Sequence, residues 1–272
     1  MKVVYLNDYY LQEESVLKNF GIPCKRLQYP FEENLSEIKD ETVLVRGPKF
    51  KNHEFQRIIE DFKKINCRSV VSPDNYKLVS DAIMYSKCFG KFAPSVISFS
   101  KAKDEYEISK ELKNMELKYP VFVRSDIESA AKYVGVDSCI LKSNDVCDVA
   151  NVLAPINTHI PLASTIIMKE IIPIKKINNT NIEYRALVIN GNLLCFDYSE
   201  DTNLPNPQTL SNYKQFYECV ETAKENGLNG TYFVDFAVDE TENIFVVECK
   251  NIINGTIKHV EELAKNFYKV VD

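Results

Sequence analysis

Tyr232 to Lys250, YFVDFAVDETENIFVVECK, is the stretch of sequence that decides the fold. Two runs rich in β-branched and aromatic residues, YFVDFAV and IFVVEC, flank the polar segment DETEN, and this pattern predicts a β-hairpin. A four-residue turn at Asp239 to Glu242 would place Asp235 opposite Val246. Glu248 would then lie diagonally across from Asp235, on the same face of the sheet.

Asp235 and Glu248 are acids within an apolar hairpin, where a carboxylate is costly unless it is paired or bound to a cation. Two converging carboxylates also repel each other unless a cation lies between them. Mg²⁺ prefers oxygen ligands and is usually bound by one or two carboxylates together with substrate phosphates. The pair therefore indicates a magnesium site. From these residues alone, an amphipathic hairpin with two exposed acids is the alternative.

The composition is that of a globular protein and excludes several classes. The chain has 272 residues, of which 45% are hydrophobic and 26% charged, so we expect two or three lobes. Its formal charge of −6 predicts no general attraction to nucleic acid. No run reaches membrane-spanning length and no signal peptide is evident, so we expect no membrane partner and a cytoplasmic location. Eight cysteines without a CxxC pair predict reduced thiols.

Strands alternate with helices in the first third of the chain, which predicts a parallel sheet with helices on its faces. The strands are Val3 to Leu6, Thr42 to Val45 and Cys67 to Val71, and a helix follows from Ser72 to Gly90. Arg46 comes directly after the second strand, at the sheet edge where ligands gather in open α/β folds. It is a candidate contact for an anionic substrate, and a surface arginine is the alternative.

A small, hydroxyl-rich loop, SDIESAAK, follows the strand that ends at Arg124. Small residues let a backbone approach a polyphosphate, and hydroxyl and cationic side chains donate to its oxygens. The candidate phosphate donors are Arg124, Ser125, Ser129 and Lys132. Serine-rich loops are common, so the loop alone is weak evidence. Further on, Asn190-Gly191 between two apolar runs predicts a second hairpin, and the closing segment, residues 256–268, is predicted to be helical.

The order of these segments resembles the ATP-grasp superfamily, whose members mostly join a carboxylate to an amine using ATP. The resemblance extends over nearly the whole chain and rests on YPVFVRS (119–125), IIMKEIIP (166–173), EYRALVINGN (183–192), VDFAV (234–238) and VVECKN (246–251). It implies an α/β fold with α+β lobes. An N-terminal parallel-sheet domain, residues 1–92, would precede a central lobe, 93–168, and a C-terminal lobe, 169–272, that together enclose the nucleotide and carry the metal-binding hairpin.

The resemblance also implies roles for residues near the nucleotide. Arg124 stands where the family usually has a lysine that contacts phosphates, and residues 125–132 match the flexible loop that covers them, although the family's glycines are missing. Residues 168–172 match the segment that links the two lobes, where main-chain groups bind adenine and an acid binds ribose. Arg185 matches an arginine that steadies the transferred phosphate. The linking segment supplies the candidate ATP contacts Lys169, Glu170, Ile171 and Ile172.

Lys250 is the largest departure from the family pattern. Many members end this strand with Glu-x-Asn, in which the asparagine helps to hold a second magnesium ion, whereas this chain has Glu248-Cys249-Lys250-Asn251. Because it should share the face of Glu248, Lys250 would replace part of that metal's charge. The alternative is that Lys250 points away and leaves Asn251 nearby. These changes resemble a divergent ATP-grasp clade characterised by one arginine and two lysines.

The resemblance implies an ATP- and Mg²⁺-dependent ligase that forms an acyl phosphate, whose acyl carbon an amine then attacks to give an amide and phosphate. The residues with catalytic roles would be Arg46, Arg185 and Lys250, and the metal ligands Asp235, Glu248 and Asn251. The substrate would be an amino acid, a peptide or a protein tail. The alternatives are an ATP-grasp kinase that stops after phosphorylation and an ATP-binding module without turnover. The sequence does not specify the oligomeric state.

Overall fold

The structure, a computed structural model, describes residues 1–31, 35–115, 117–126, 129–197, 204–255, 261 and 264–265. Within these residues, three four-stranded sheets form the framework. The predicted closing helix, residues 256–268, lies almost entirely outside the described residues. No helix in the described part of the chain is both long enough and apolar enough to cross a membrane.

The first sheet is parallel throughout, with the order β2-β1-β3-β4, which confirms the predicted parallel sheet. Its strands are β1 (Lys2–Leu6), β2 (Cys24–Leu27), β3 (Thr42–Arg46) and β4 (Arg68–Ser69). The helices of this unit are α1 (Leu11–Asn19), α2 (Asn52–Lys64), α3 (Pro73–Ser80) and α4 (Ala82–Phe89). The helix α2 buries an apolar face with a 3.6-residue period, which is why it packs onto the sheet.

The predicted single helix from Ser72 to Gly90 is wrong, because the chain breaks at Asp81 into α3 and α4. The backbone of Asp81 is extended (φ −104°, ψ 111°). Its Oδ1 accepts hydrogen bonds from the amides of Ile83 (2.9 Å) and Met84 (3.1 Å), so the carboxylate caps the second helix. The two short helices turn around this cap and line the cleft described below.

The second sheet is antiparallel and has the order β5-β8-β6-β7. Its strands are β5 (Val96–Ser100), β6 (Val121–Ser125), β7 (Ile140–Leu141) and β8 (Thr165–Glu170). The helices beside it are α5 (Glu105–Leu112), α6 (Ala131–Val134) and α7 (Val146–His159). This sheet has a hydrophobic core of its own, shared with α5 and α7. The predicted boundary at residues 168–169 falls inside β8.

The third sheet is antiparallel, with the order β12-β11-β13-β14. A two-stranded ladder precedes it, and the strands and remaining helix are β9 (Lys176–Ile177), β10 (Thr180–Asn181), β11 (Glu183–Ile189), β12 (Asn192–Asp197), α8 (Tyr213–Glu225), β13 (Tyr232–Val238) and β14 (Ile244–Asn251). The predicted Asn190-Gly191 turn joins β11 to β12, and both turn residues have positive φ, as this turn type requires.

The hairpin of β13 and β14 exists as predicted, but its register differs. Val238 pairs with Ile244, so the loop has five residues, Asp239–Asn243, instead of four. The register then shifts between Asp235 and Phe236, which leaves Val247 as the extra residue of a β-bulge. As a result Asp235 pairs directly with Glu248. The two acids do share a face of the sheet, but they are direct cross-strand partners instead of diagonal neighbours.

The first and third sheets are packed into one structure by a common core. Leu187 and Phe233 of the third sheet and Ile252 and Ile253 after it are buried with the side chains of the N-terminal unit. The opposite face of the third sheet packs on α4 and α8. The face with Phe233 also carries Asp235 two residues later, where the core gives way to the cleft.

Candidate active site

The site is built around the direct pair of Asp235 on β13 and Glu248 on β14. Both side chains are largely removed from solvent, with 15% of Asp235 and 35% of Glu248 exposed. The bulge at Val247 is the feature that brings them opposite each other. In an unbulged ladder that kept the Phe236–Val246 pair, Asp235 would face Val247, and Glu248 would point to the other side of the sheet.

Two cations from the same sheet bind these carboxylates. Arg185 is the cross-strand partner of Asp235 on β11, and its guanidinium makes a forked contact, with Nε 2.6 Å from Oδ1 and Nη2 2.9 Å from Oδ2. Lys250 bridges both acids, with its Nζ 2.8 Å from Asp235 Oδ2 and 3.0 Å from Glu248 Oε2. Lys250 therefore points towards Glu248, and the alternative in which it points away is wrong.

Two further cations reach the cluster from the second sheet. Arg124 of β6 places Nη1 3.5 Å from Glu248 Oε1. Lys169 of β8 donates from its ammonium to the main-chain carbonyl of Val247, the bulged residue. The cluster therefore lies between the second and third sheets, and the bulge both aligns the acids and supplies the acceptor for Lys169.

Burial and mutual pairing shift the protonation equilibria of the cluster. Burial by itself would raise the pKa of Asp235, but the hydrogen bonds from Arg185 and the charge of Lys250 outweigh it, so the pKa lies below its ordinary value. Burial would lower the pKa of Lys250, yet the charges of Glu248 and Asp235 raise it. For Lys169, burial dominates and lowers the pKa to about 8, although Glu248 acts in the opposite direction.

The cluster has an excess of positive charge. Four cationic side chains, Arg124, Lys169, Arg185 and Lys250, surround two carboxylates, which gives a net charge of +2 when all are ionised. Such an excess in a partly buried site favours an anionic ligand. Within the described residues, no group of three or more His, Cys, Asp or Glu side chains could hold a metal ion by itself. Two carboxylates do fit a Mg²⁺ ion that takes its other ligands from phosphates and water.

Arg46 does not lie where an anionic substrate could reach it, so the structure corrects that expectation. Its side chain is fully buried, and its guanidinium binds Glu13 at 2.7 and 2.6 Å and the carbonyl of Gly255 at 2.8 Å. The Tyr10 ring lies 4.4 Å from the guanidinium carbon. The physical reason is the carboxylate of Glu13, a buried acid that needs a cation. Arg46 joins the N-terminal unit to the segment after β14.

Asn251 is also placed differently from the expectation that it binds metal. It follows Lys250 on β14 and points to the opposite face from Glu248. Its amide nitrogen donates to the carbonyl of Tyr76 (3.1 Å) and the hydroxyl of Ser80 (2.7 Å), which fixes the side chain on α3. The structure therefore brings Lys250, and not Asn251, to the carboxylate pair.

The remaining predicted nucleotide contacts lie on the second sheet and after it. Ser125 is buried at the end of β6, and the hydroxyl of Ser129 accepts from the amide of Ala131 at 3.1 Å. Lys132 is exposed, with its ammonium 5.0 Å from the centre of the Tyr133 ring. That these groups bind phosphates stays a prediction.

The segment linking the second and third sheets begins at Glu170, the last residue of β8. The carboxylate of Glu170 accepts a long hydrogen bond from the Ser95 amide (3.4 Å). Ile171 is partly exposed directly after it, and Ile172 lines a separate surface cavity near Lys91. Their contacts with adenine and ribose stay predictions.

A cavity of about 220 Å³ adjoins the carboxylate cluster. Arg124, Glu248 and Lys250 of the cluster line it, and so do Lys49 and Tyr85. Sequence reasoning missed both of these residues. Lys49 comes two residues after Gly47, in the turn that follows β3, so its position at a strand end was a usable signal. Tyr85 gave no such signal in the sequence, because its place at the cavity results from the packing of α4 against β14.

A comparison with protein-family models matches residues 103–267 to an ATP-grasp domain, R2K clade family 2. No curated protein matches the chain.

Several solved structures share the fold at low identity. The D-cycloserine synthetase DcsG aligns with a TM-score of 0.64 and 10% identity, over 98% of this chain and 99% of that one. The VanG D-Ala:D-Ser ligase from Enterococcus faecalis gives 0.64 and 13%, over 99% of each chain. The D-alanine–D-alanine ligase from Coxiella burnetii gives 0.62 and 10%, over 97% and 91%. The fold and the family match together establish that this chain belongs to the ATP-grasp family, in the R2K clade.

Proposed function

We propose that this protein is an ATP- and Mg²⁺-dependent ligase that joins a carboxylate to an amine. The observation that carries the proposal is the cluster of four cations around Asp235 and Glu248, at the boundary between the second and third sheets. A triphosphate supplies the negative charge that this cluster lacks, and two carboxylates are what a phosphate-bound magnesium ion requires.

In the proposed reaction, an oxygen of the substrate carboxylate attacks the γ-phosphorus of ATP, and the bond to the ADP oxygen breaks. The amine nitrogen then attacks the acyl carbon, and phosphate leaves together with a proton from the amine. In this proposal, Arg185 and Lys250 stabilise charge on the transferred phosphoryl group, and their contacts with Asp235 support that role. Their contribution is positioning and neutralisation of charge, because the substrate carboxylate is the nucleophile and no covalent bond to the protein is required.

Asp235 and Glu248 are the residues that would hold Mg²⁺. A magnesium ion there would neutralise charge on the phosphates and orient them for in-line transfer. Arg185 and Lys250 at present occupy both oxygens of Asp235, so their contacts would move to phosphate oxygens when the metal complex binds. The raised pKa of Lys250 keeps it protonated for this role.

Trapping with hydroxylamine tests the ligase proposal. Purified protein, ATP and Mg²⁺ are incubated with a panel of amino acids, short peptides and other carboxylates, and ADP and hydroxamate are measured. We expect at least one carboxylate to give ADP and a hydroxamate together. Asp235→Asn should lower the rate by about 100-fold or more, the loss typical of removing a group that stabilises transition-state charge. Glu240→Gln makes the same charge change in the exposed hairpin loop and should leave the rate unchanged.

A second candidate, an ATP-binding module without turnover, has one observation in its favour: both oxygens of Asp235 are already bonded by Arg185 and Lys250. Calorimetric binding of ATP without ADP release across the panel would support that module. A stable phosphorylated product without a hydroxamate would support a kinase. Near-normal ADP release by the Asp235→Asn variant would contradict the role of Asp235 as a metal ligand, whether the protein is a ligase or a kinase.

A further inference from the structure

A second, larger cavity opens beside the cluster. Its volume is about 640 Å³, and it lies between the N-terminal unit and the second sheet. It is lined on one side by residues 49–52 and the ends of α3 and α4, and on the other by β5 and β8. The two cavities share five lining residues, Lys49, Ser80, Ala82, Asp126 and Ile167. A molecule in this outer cavity can therefore extend one end to the cluster in the inner cavity.

Three lysines line the outer cavity: Lys49, Lys51 and Lys77, all of them exposed. Neither Lys51 nor Lys77 forms an ion pair with any residue that the structure describes. Lys51 precedes the first residue of α2, and Lys77 lies within α3, so separate elements place them on the same cavity. The three ammonium groups give the wall a local positive charge in a chain whose net charge is negative.

The two acids of the outer cavity are already engaged by backbone and hydroxyl donors. Asp81 caps α4 through the amides of Ile83 and Met84. Asp126 accepts from the Ser164 amide at 3.1 Å and hydroxyl at 2.6 Å. Neither acid forms an ion pair with Lys51 or Lys77, and the three lysines outnumber the two carboxylates, so the described wall has an excess of one positive charge when all are ionised.

Apolar side chains complete the wall. Phe50, Ile83 and Ile167 line the same cavity, beside the lysines and the serine and threonine hydroxyls. A pocket that combines hydrocarbon surface with a few placed charges suits a ligand with a short aliphatic stem and an anionic end. With a volume of about 640 Å³, the cavity is large enough for such a molecule.

From this arrangement we infer that the outer cavity binds the carboxylate substrate and selects one that carries a second acidic group. This inference rests on the proposed ligase function. One carboxylate of the substrate extends to the phosphate-binding cluster, and the second acidic group lies among Lys49, Lys51 and Lys77. The substrate class is then an acidic amino acid or a short peptide that contains one.

Binding of a matched pair of probes tests the inference independently of turnover. N-acetyl-L-glutamate and N-acetyl-L-glutamine differ in one charge and hardly in shape. Each is titrated calorimetrically into the protein with Mg²⁺ and a non-hydrolysable ATP analogue. We expect N-acetyl-L-glutamate to bind about tenfold more tightly, as two partly screened charge contacts would give. L-glutamyl-L-glutamate in the same assay distinguishes a peptide from a single amino acid.

The double variant Lys51→Gln/Lys77→Gln should abolish this preference, and Lys51→Arg/Lys77→Arg should retain it. Lys110→Gln/Lys214→Gln, at two exposed lysines on α5 and α8 that line neither cavity, makes the same change in net charge and is the control. Equal binding of the two acetylated probes, no binding of any acidic probe, or an unchanged preference in the double variant would overturn the inference. So would a loss of nucleotide affinity in that variant, which would assign the lysines to the triphosphate.

Measuring ADP release by the same proteins and probes, with ATP in place of the non-hydrolysable analogue, separates this inference from the proposed function. Lysine-dependent binding of the acidic probe without any ADP release would support the outer cavity as an acid-binding site and count against the ligase. ADP release with carboxylates that carry no second acidic group, at a rate that the double variant leaves unchanged, would support the ligase and overturn the cavity assignment.

Discussion

Lys169 is a largely buried cation of the cluster whose charge depends on its surroundings. Burial lowers the pKa of its ammonium to about 8, while the nearby carboxylate of Glu248 limits that decrease. The ammonium already donates to the Val247 carbonyl, so it is fixed at the boundary between two sheets. Its proton is therefore held only weakly at a place where the proposed triphosphate binds.

Nucleotide affinity should fall as the pH rises from about 7 to about 9, because Lys169 loses its charge over that range. Below a pKa of about 8 the side chain is protonated and attracts phosphate, and above it the attraction is lost. The dissociation constant of a non-hydrolysable ATP analogue, measured across this range, checks the prediction. Lys169→Arg should bind the analogue tightly at every pH in this range, because arginine stays charged. Lys169→Met should bind it weakly at every pH, because the charge is absent. A native affinity that does not change with pH would contradict it.

The local sequence pattern was sufficient to predict the positions of some site residues and insufficient for others. Asp235 and Glu248 stand on a hairpin that the sequence predicted, and strand alternation placed them on one face. Arg185 was a candidate through the resemblance alone, and the structure pairs it with Asp235. The burial of Arg46 could not be derived. It depends on Glu13, 33 residues away, and on Gly255, 209 residues away. Long-range pairs of this kind leave no periodic trace in a single sequence.

At the scale of elements, the break at Asp81 shapes the wall of both cavities. The apolar stripe from Tyr76 to Met84 predicted one helix, since neither proline nor glycine interrupts it. A single side chain decides the outcome, because an aspartate can bond the amides two and three residues ahead and so start a new helix. The competition between a cap and a continuous helix is too close for pattern alone to resolve.

Asp81→Ala should destabilise the protein by about 1 kcal/mol, because the first amides of α4 lose their acceptor. Asp81→Asn retains an acceptor oxygen and should cost less. Urea unfolding followed by circular dichroism measures both changes in the free energy of unfolding. Equal stability of the alanine variant and the native protein would mean that the carboxylate does not maintain the break.

The register of the β13–β14 hairpin is a second feature that the sequence pattern could not predict. Asp239 Oδ1 accepts from the amides of Thr241 (2.9 Å) and Asn243 (2.8 Å), which closes a five-residue loop instead of the four-residue turn that the sequence suggested. The bulge at Val247 then restores the facing of Asp235 and Glu248. The predicted face was right although the predicted partners were wrong, because two register differences compensate.

At the scale of the whole molecule, the three sheets have different relations to one another. The N-terminal unit and the third sheet share a core and are joined by the Arg46–Gly255 contact, whereas the second sheet has a core of its own. The order of strands and helices was sufficient to predict the parallel sheet and the family. It could not predict that the first and third sheets merge, since that depends on apolar residues far apart in the chain.

The site is formed by residues of two sheets that do not share a core. Arg124 and Lys169 belong to that sheet, and Asp235, Glu248 and Lys250 belong to the third. Across the two sheets, the Arg124 guanidinium contacts the Glu248 carboxylate, and the Lys169 ammonium donates to the main-chain carbonyl of Val247. A ligand that binds this cluster therefore contacts both sheets at once.

The central claim is that Asp235 and Glu248 bind a divalent ion together with a nucleotide. The most direct test is the affinity of the protein for the Mn²⁺ complex of a non-hydrolysable ATP analogue, measured by electron paramagnetic resonance. The native protein and the control Glu240→Gln should bind the complex alike, and Asp235→Asn and Glu248→Gln should each bind it at least about tenfold more weakly. Equal affinity in all four proteins would contradict the claim.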